Sequence, residues 1–597
     1  MFTHDKDSMI TVPVHERADI TADLSSGHGT AASIAALTDG LITMRVILLR
    51  QLLTTVDDET AELSGLPAAY ESLAALQSEH PDIVASMLAY PNTGAWLSRV
   101  LRRAAGSSDD SVIPLWADCA YLGWLAVAAQ IACHAEGTAR LVIRNGAVVL
   151  PNLGLAKLGE TGHHGRCDIA WSACGALRFS WPGGSLRIAS RTDESHPDWL
   201  PMRWLRASPG EPRIWLDDLD PFRVLQSGTD GLRLTTTEAE RWQCDFTAAW
   251  QLLRADFDEY LTPMRACLTS VTPLSARPQA AGTSHTAWNG LGCVYTTAPA
   301  DSCQLALTMI HEIQHTKFGL LTDQIELFTP DSACRFYAPW RADPRPISGL
   351  LHGIYAFHGV TDFWRVHRHS ECHGSTQTHA EFELGRIQLA AAVEQAMTSG
   401  LLTAAGDRFL RALADAMSPW RHESVPLAAR QVAAETITAH RTFWRIRNLE
   451  PDPAAIAELA ARWWARRPPG PDLPTAAFIA PERVPERYRG LPLAAQLKAV
   501  DPGAAAALAT PGQPEGDRAY LAGYPTEALA LYARELRADP LRPQAWAGLI
   551  LAGQRVFGGK LFETLSERGE VVAGLYAEIG PEAEILDLLR WLSPVGD

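Results

Sequence analysis

Asp301-Ser302-Cys303-Gln304-Leu305-Ala306-Leu307-Thr308-Met309-Ile310-His311-Glu312-Ile313-Gln314-His315-Thr316-Lys317-Phe318 carries the densest chemical information in the chain. Ala306, Met309, Ile310 and Ile313 form the i, i+3, i+4, i+7 stripe of a helix with one buried face. Asp301 and Ser302 suit its N-cap. On that helix His311 and His315 stand one turn apart on one face, where two imidazoles can converge on a divalent ion about 2 Å away. Glu312 is next to the first histidine and can address a metal-bound water or a ligand's surroundings. The spacing predicts a divalent-metal site and hence a metalloenzyme.

The third ligand is less plain. A metzincin would carry Gly at 318 and His at 321, but this chain has Phe318 and Leu321. Glu326 would lie about 16 Å up the axis from His315 if the helix continued. Glu371, Glu381 and Glu383 suit a thermolysin-like enzyme by separation alone. A stronger candidate is Trp340-Arg341-Ala342-Asp343-Pro344-Arg345-Pro346-Ile347-Ser348-Gly349-Leu350-Leu351-His352-Gly353, a Pro-locked turn entering a new helix. It places Arg345, able to grip a carboxylate bidentately, beside His352. A surface arginine and a core histidine would read the same way. The cluster His367, His369, Cys372, His373 and His379 is irregular and set among Ser, Thr and Gly, as in a solvated loop.

Working outward, 597 residues suffice for three or four ordinary domains. The net charge of −16 argues against nucleic acid or an anionic membrane surface as the main partner. Ten cysteines without a CxxC pair read as reduced cytosolic thiols. No signal peptide is evident, and the most apolar stretch, Tyr121–Cys133, is too short to span a bilayer. The expected location is the cytoplasm.

The predicted class is α+β, mainly α-helical. Residues 1–30 read as disordered and 31–135 as a helical N-terminal domain. Residues 136–225 read as a small antiparallel β segment, with an Asn145-Gly146 type I′ hairpin and further strands at 177–181, 186–190 and 213–216. Residues 226–450 form the predicted HExxH-bearing helical catalytic domain. Residues 451–597 begin with a Pro-rich linker, Pro468–Pro485, and end in a helical tail. In that tail Ala519–Ala552 reads equally as one tetratricopeptide-type (TPR-like) helix pair or a generic hairpin.

Several stretches, taken in order, resemble an actinobacterial family of HExxH-motif peptide-modification proteins encoded with ribosomal peptide natural-product clusters. They are Met87–Trp96 with Tyr90-Pro91…Gly94-Ala95-Trp96, Val149–Gly154, Leu216-Asp217-Asp218-Leu219-Asp220-Pro221, and Ile310–His315. Pro339–Pro346, Gly349–Phe357 and Ser399–Thr403 complete the set, which spans roughly residues 65 to 450. The resemblance implies modification of a ribosomally synthesised precursor peptide by a non-haem Fe(II), 2-oxoglutarate-dependent hydroxylase acting on a side-chain β-carbon. It implies His311, His315 and His352 as iron ligands and Glu312 as an orienting group. Arg345, with Arg386 as a second candidate, would hold the 2-oxoglutarate carboxylate. Three histidines depart from the usual two-His-one-carboxylate triad. The alternative is a zinc metallopeptidase with Glu312 as general base. A third reading is an inactive scaffold that presents peptide through its helical tail. Separately, the tail is a candidate docking point for a partner maturase.

Overall fold

The computed structural model describes residues 14–107, 112–160, 162–192, 194, 196–223, 233–274, 284–285, 292–331, 333, 335–370, 375–479 and 513–593. The chain divides into two compact units, residues 1–326 and 327–597. The division falls inside the stretch 226–450 expected to be one catalytic domain.

The first unit begins with eight helices: α1 Val14–Leu24, α2 Ala31–Thr55, α3 Asp58–Ser64, α4 Leu66–Glu79, α5 Pro81–Ala89, α6 Pro91–Ala104, α7 Leu115–Cys119 and α8 Tyr121–Ala132. Helix α1 corrects the expectation that residues 1–30 are disordered. The polar composition concealed Ile20 and Leu24, which are buried, and Asp23, which accepts hydrogen bonds from the Thr30 backbone and hydroxyl. Residues 1–13 lie outside the described part. Helix α8 is buried along almost its whole length, as a core helix should be. Among the described residues, two stretches are long and apolar enough to cross a membrane by length and composition, α2 and Leu115–Ala132. Of these, 28% and 72% respectively is buried.

Nine strands follow: β1 Gly137–Ile143, β2 Ala147–Leu150, β3 Gly154–Lys157, β4 Gly165–Trp171, β5 Leu177–Trp181, β6 Gly184–Ile188, β7 Trp199–Pro201, β8 Arg203–Leu205 and β9 Ile214–Leu216. Asn145 (φ 52°) and Gly146 (φ 78°) make the predicted tight turn, closed by paired Arg144 and Ala147 backbones. The strands then part. β1 enters an antiparallel sheet ordered β1-β4-β5-β6, and β2 enters another ordered β2-β3-β7. Helix α8 packs on β1 and β2, and its neighbouring helices share the same core around Trp96, Trp124, Ile143, Phe179 and Trp199.

After α9 Thr236–Asp256 and α10 Asp258–Cys267 the expected helical run is broken by β10 Ser270–Leu274, β11 Ser284–His285 and β12 Cys293–Thr297. These join β8 and β9 in a five-stranded sheet ordered β11-β12-β10-β9-β8. It is mixed rather than purely antiparallel, because β10 runs parallel to both β9 and β12. β12 is buried at every residue and leads into α11, Ser302–Thr322.

The second unit comprises α12 Ile347–His367, α13 Ser375–Met397, α14 Ala404–Met417, α15 Leu427–Asn448, β13 Leu449–Pro451, α16 Pro453–Trp464 and β14 Ala476–Phe478. It ends with α17 Glu515–Leu521, α18 Pro525–Ala538, α19 Pro543–Phe557, α20 Glu563–Glu567, α21 Gly569–Ile579 and α22 Ile585–Leu592. The Pro-rich stretch returns in part as β14, antiparallel to β13; its residues 480–485 lie outside the described part. In the tail, α18 and α19 form a helical hairpin. The Tyr532 ring sits where any side chain at Gly516 or Gly548 would stand. A core of Phe443, Ile446, Tyr532, Trp546, Val572 and Leu588 joins α15 and α16 to this tail.

Candidate metal centre

Helix α11 forms where the periodicity placed it. The Asp301 carboxylate accepts from the Gln304 backbone N–H at 2.8 Å, and Ala306, Met309, Ile310 and Ile313 are buried. The helix ends at Thr322, so Glu326 is not carried up its axis. His311 and His315 are half-buried, with ring centroids 4.7 Å apart and planes at 87°. Burial pushes the His311 pKa down to about 4, so its imidazole is neutral at pH 7. A neutral ring offers a nitrogen lone pair to a metal. Glu312 is fully buried.

The other predicted residues belong to the second unit. Pro346 caps α12, and His352 is half-buried in its second turn. The turn before α12 lies along it in a groove. Trp340 occupies the space a side chain at Gly353 would fill and stacks on Phe357 at 4.6 Å. The Arg345 guanidinium covers Gly349 at 2.7 Å from where a Cβ would be. Arg345 donates to Asp343 at 3.2 Å, while its buried Nε has no partner among the described residues. Burial would raise the Asp343 pKa, but hydrogen bonds and charge from Arg341 and Arg345 outweigh it and hold the carboxyl low.

Arg386 is differently placed. It donates to the carbonyls of Trp420 (2.6 Å) and Glu423 (2.9 Å) and pairs with Glu383. These contacts commit the guanidinium to bracing the chain around Trp420, and with it they occupy Glu383. Glu381 is raised to about 7 by burial, and Glu371 lies outside the described residues. In the histidine cluster, His367 is buried and stacked on Phe363, rather than solvated. His379 receives Arg368 at 3.3 Å, and burial followed by Arg368 lowers its pKa. Cys372 and His373 lie outside the described residues. Within either unit, no three His, Cys, Asp or Glu side chains among the described residues are grouped to hold a metal ion.

Two features escaped sequence reasoning. Gln314 and Lys317, on α11 itself, are fully buried and bonded to the N-terminal turn at Gly27–His28. The stretches Tyr90–Trp96 and Leu216–Pro221 also meet. Tyr90 and Asn92 donate to Asp217, each at 2.6 Å, and Tyr121 donates to Asp220 at 2.6 Å. Burial, then the neighbouring Asp217, raises the Asp220 pKa to about 7. Three acids inside an apolar stretch were the available signal, since buried carboxylates require partners.

No protein-family model matches the chain, and no curated protein matches it. The family resemblance therefore rests on the quoted residues.

Proposed function

We propose that the chain is a metalloenzyme centred on His311 and His315, and that it modifies a ribosomally synthesised precursor peptide by Fe(II)/2-oxoglutarate-dependent β-hydroxylation of a side chain. One observation supports this above the others. Two imidazoles one turn apart, one of them held neutral by burial, form the beginning of a divalent-metal donor set. When bound, iron would supply the redox chemistry. The chain's own residues hold it and the co-substrate: His311 and His315 donate nitrogen, and buried Glu312 orients a ligand or water. Arg345, whose buried Nε has no partner among the described residues, suits a carboxylate of 2-oxoglutarate. Arg386 is withdrawn from that role by its carbonyl contacts. His352 is kept as a candidate ligand on its motif alone.

The zinc metallopeptidase reading is favoured by Glu312 alone, a buried carboxylate beside a ligand histidine and suited to a general base. Metal analysis of the purified protein and mass spectrometry of the precursor peptide after co-expression separate the two. The hydroxylase predicts iron, succinate and a peptide heavier by one oxygen atom. Zinc with cleaved peptide replaces that reading by the peptidase. Loss of metal in His311→Ala and His315→Ala is required by both, and unchanged metal in His352→Ala removes His352 from the ligand set.

A further inference from the structure

Helix α11 is fastened to the turn between α1 and α2. Lys317 Nζ donates to the carbonyls of Gly27 (3.1 Å) and His28 (2.5 Å), and Gln314 Nε2 donates to the Gly27 carbonyl at 3.1 Å. Both side chains are fully buried. Beyond them Gln324 donates to the Leu37 carbonyl at 2.8 Å and lies against Gly40, where a Cβ would strike its amide.

The turn is also braced from its own side. Asp23 accepts from the backbone and hydroxyl of Thr30, both at 2.8 Å. His28 lies 3.2 Å from Glu259 and meets the Tyr260 ring edge-on at 4.7 Å. Gly27 and Gly29 hold φ of 91° and 87°, a backbone open to glycine and strained for other residues. The acceptors thus have a fixed shape of their own.

At 3.6 residues per turn, Gln314 and Lys317 share a face turned about 110° from the face of His311 and His315. Bonds on that second face fix the helix along and about its axis without touching the metal face. We propose that Lys317 is a positioning residue for His311 and His315, and that the Ser25–Thr30 turn is a built part of the metal centre. This rests on the reading of the two histidines as ligands.

The test uses the full-length protein titrated with Co(II), read by its visible d–d bands, together with amide hydrogen exchange across residues 309–318 of the metal-free chain. Lys317→Met removes the donor and keeps the length of the side chain. Gly27→Val displaces the acceptors without altering α11. Both variants should keep the wild-type far-UV dichroism and exchange faster across 309–318. They should bind Co(II) about ten-fold more weakly, with shifted bands, as loss of a supporting partner does at metal sites. Unchanged affinity and bands in the folded variants overturn the proposal. Should Lys317→Met fail to fold, Gly27→Val decides alone. A wild-type chain that binds no Co(II) refutes the metal reading instead. Exchange then judges the clamp: faster exchange keeps Lys317 as the anchor of α11, and unchanged exchange in both variants overturns it.

Discussion

The sequence puts Arg345 first and Arg386 second, and their surroundings separate them further. On the proposed hydroxylase reading, Arg345→Gln should leave the melting temperature nearly unchanged and raise the KM for 2-oxoglutarate at least ten-fold, measured by succinate formation. Arg386→Gln should act on stability, because it strands two backbone carbonyls and Glu383. A loss of about 1–3 kcal/mol is expected in denaturant titration. The reverse pattern would return Arg386 to the site. Asp220 offers a pH test. Its folded pKa is raised to about 7, while the unfolded carboxyl titrates near 4. The folded chain therefore binds this proton more tightly, so stability falls as pH rises from about 4 to about 7 and loses nothing further from this group above that. Asp220→Asn should remove that slope and stabilise the protein by roughly 1–4 kcal/mol at pH 8, with the gain shrinking at pH 5. Thermal melts at the two pH values check it, and an equal effect at both would contradict it.

At the scale of elements, the turn before α12 owes its place to small residues. Gly353→Ala should push Trp340 off the helix and cost about 1–3 kcal/mol, with Trp340 becoming more accessible to a fluorescence quencher. A variant as stable as wild type would show that the Trp340 packing is adjustable. The same elements show what the sequence could and could not reveal. Helix α11 was legible because cap, stripe and length agreed over one long segment. The Asn145-Gly146 turn was legible from its dipeptide, but the parting of β1 and β2 was not, because partner choice is decided by distant strands. Strands β10 and β12 were hidden within a long helical reading: each is short, and β12 is buried on both faces, so it lacks the alternation that marks a strand. The histidines of the candidate site were legible by spacing. The Lys317 contact was not, since a lysine on a helix ordinarily reads as solvated.

For the whole molecule, the division at 326/327 makes a direct claim about autonomy. Residues 327–597 contain their own core, from Phe443 and Ile446 through Tyr532 and Trp546 to Leu588. Produced alone, that piece should be helical and melt in one cooperative transition by circular dichroism. A non-cooperative melt would show that the unit is incomplete without the first 326 residues.

The bond from Lys317 to the N-terminal turn spans 289 to 290 positions. Closing a loop of that length costs roughly 5 kcal/mol of chain entropy. During synthesis the turn waits roughly 15–60 s for α11 to be made, at ribosomal rates of about 5–20 residues per second. Lys317 can therefore reach its acceptors only after all the residues between the two anchors have been made. A nascent chain halted before α11 would have every N-terminal acceptor in hand and nothing to hold.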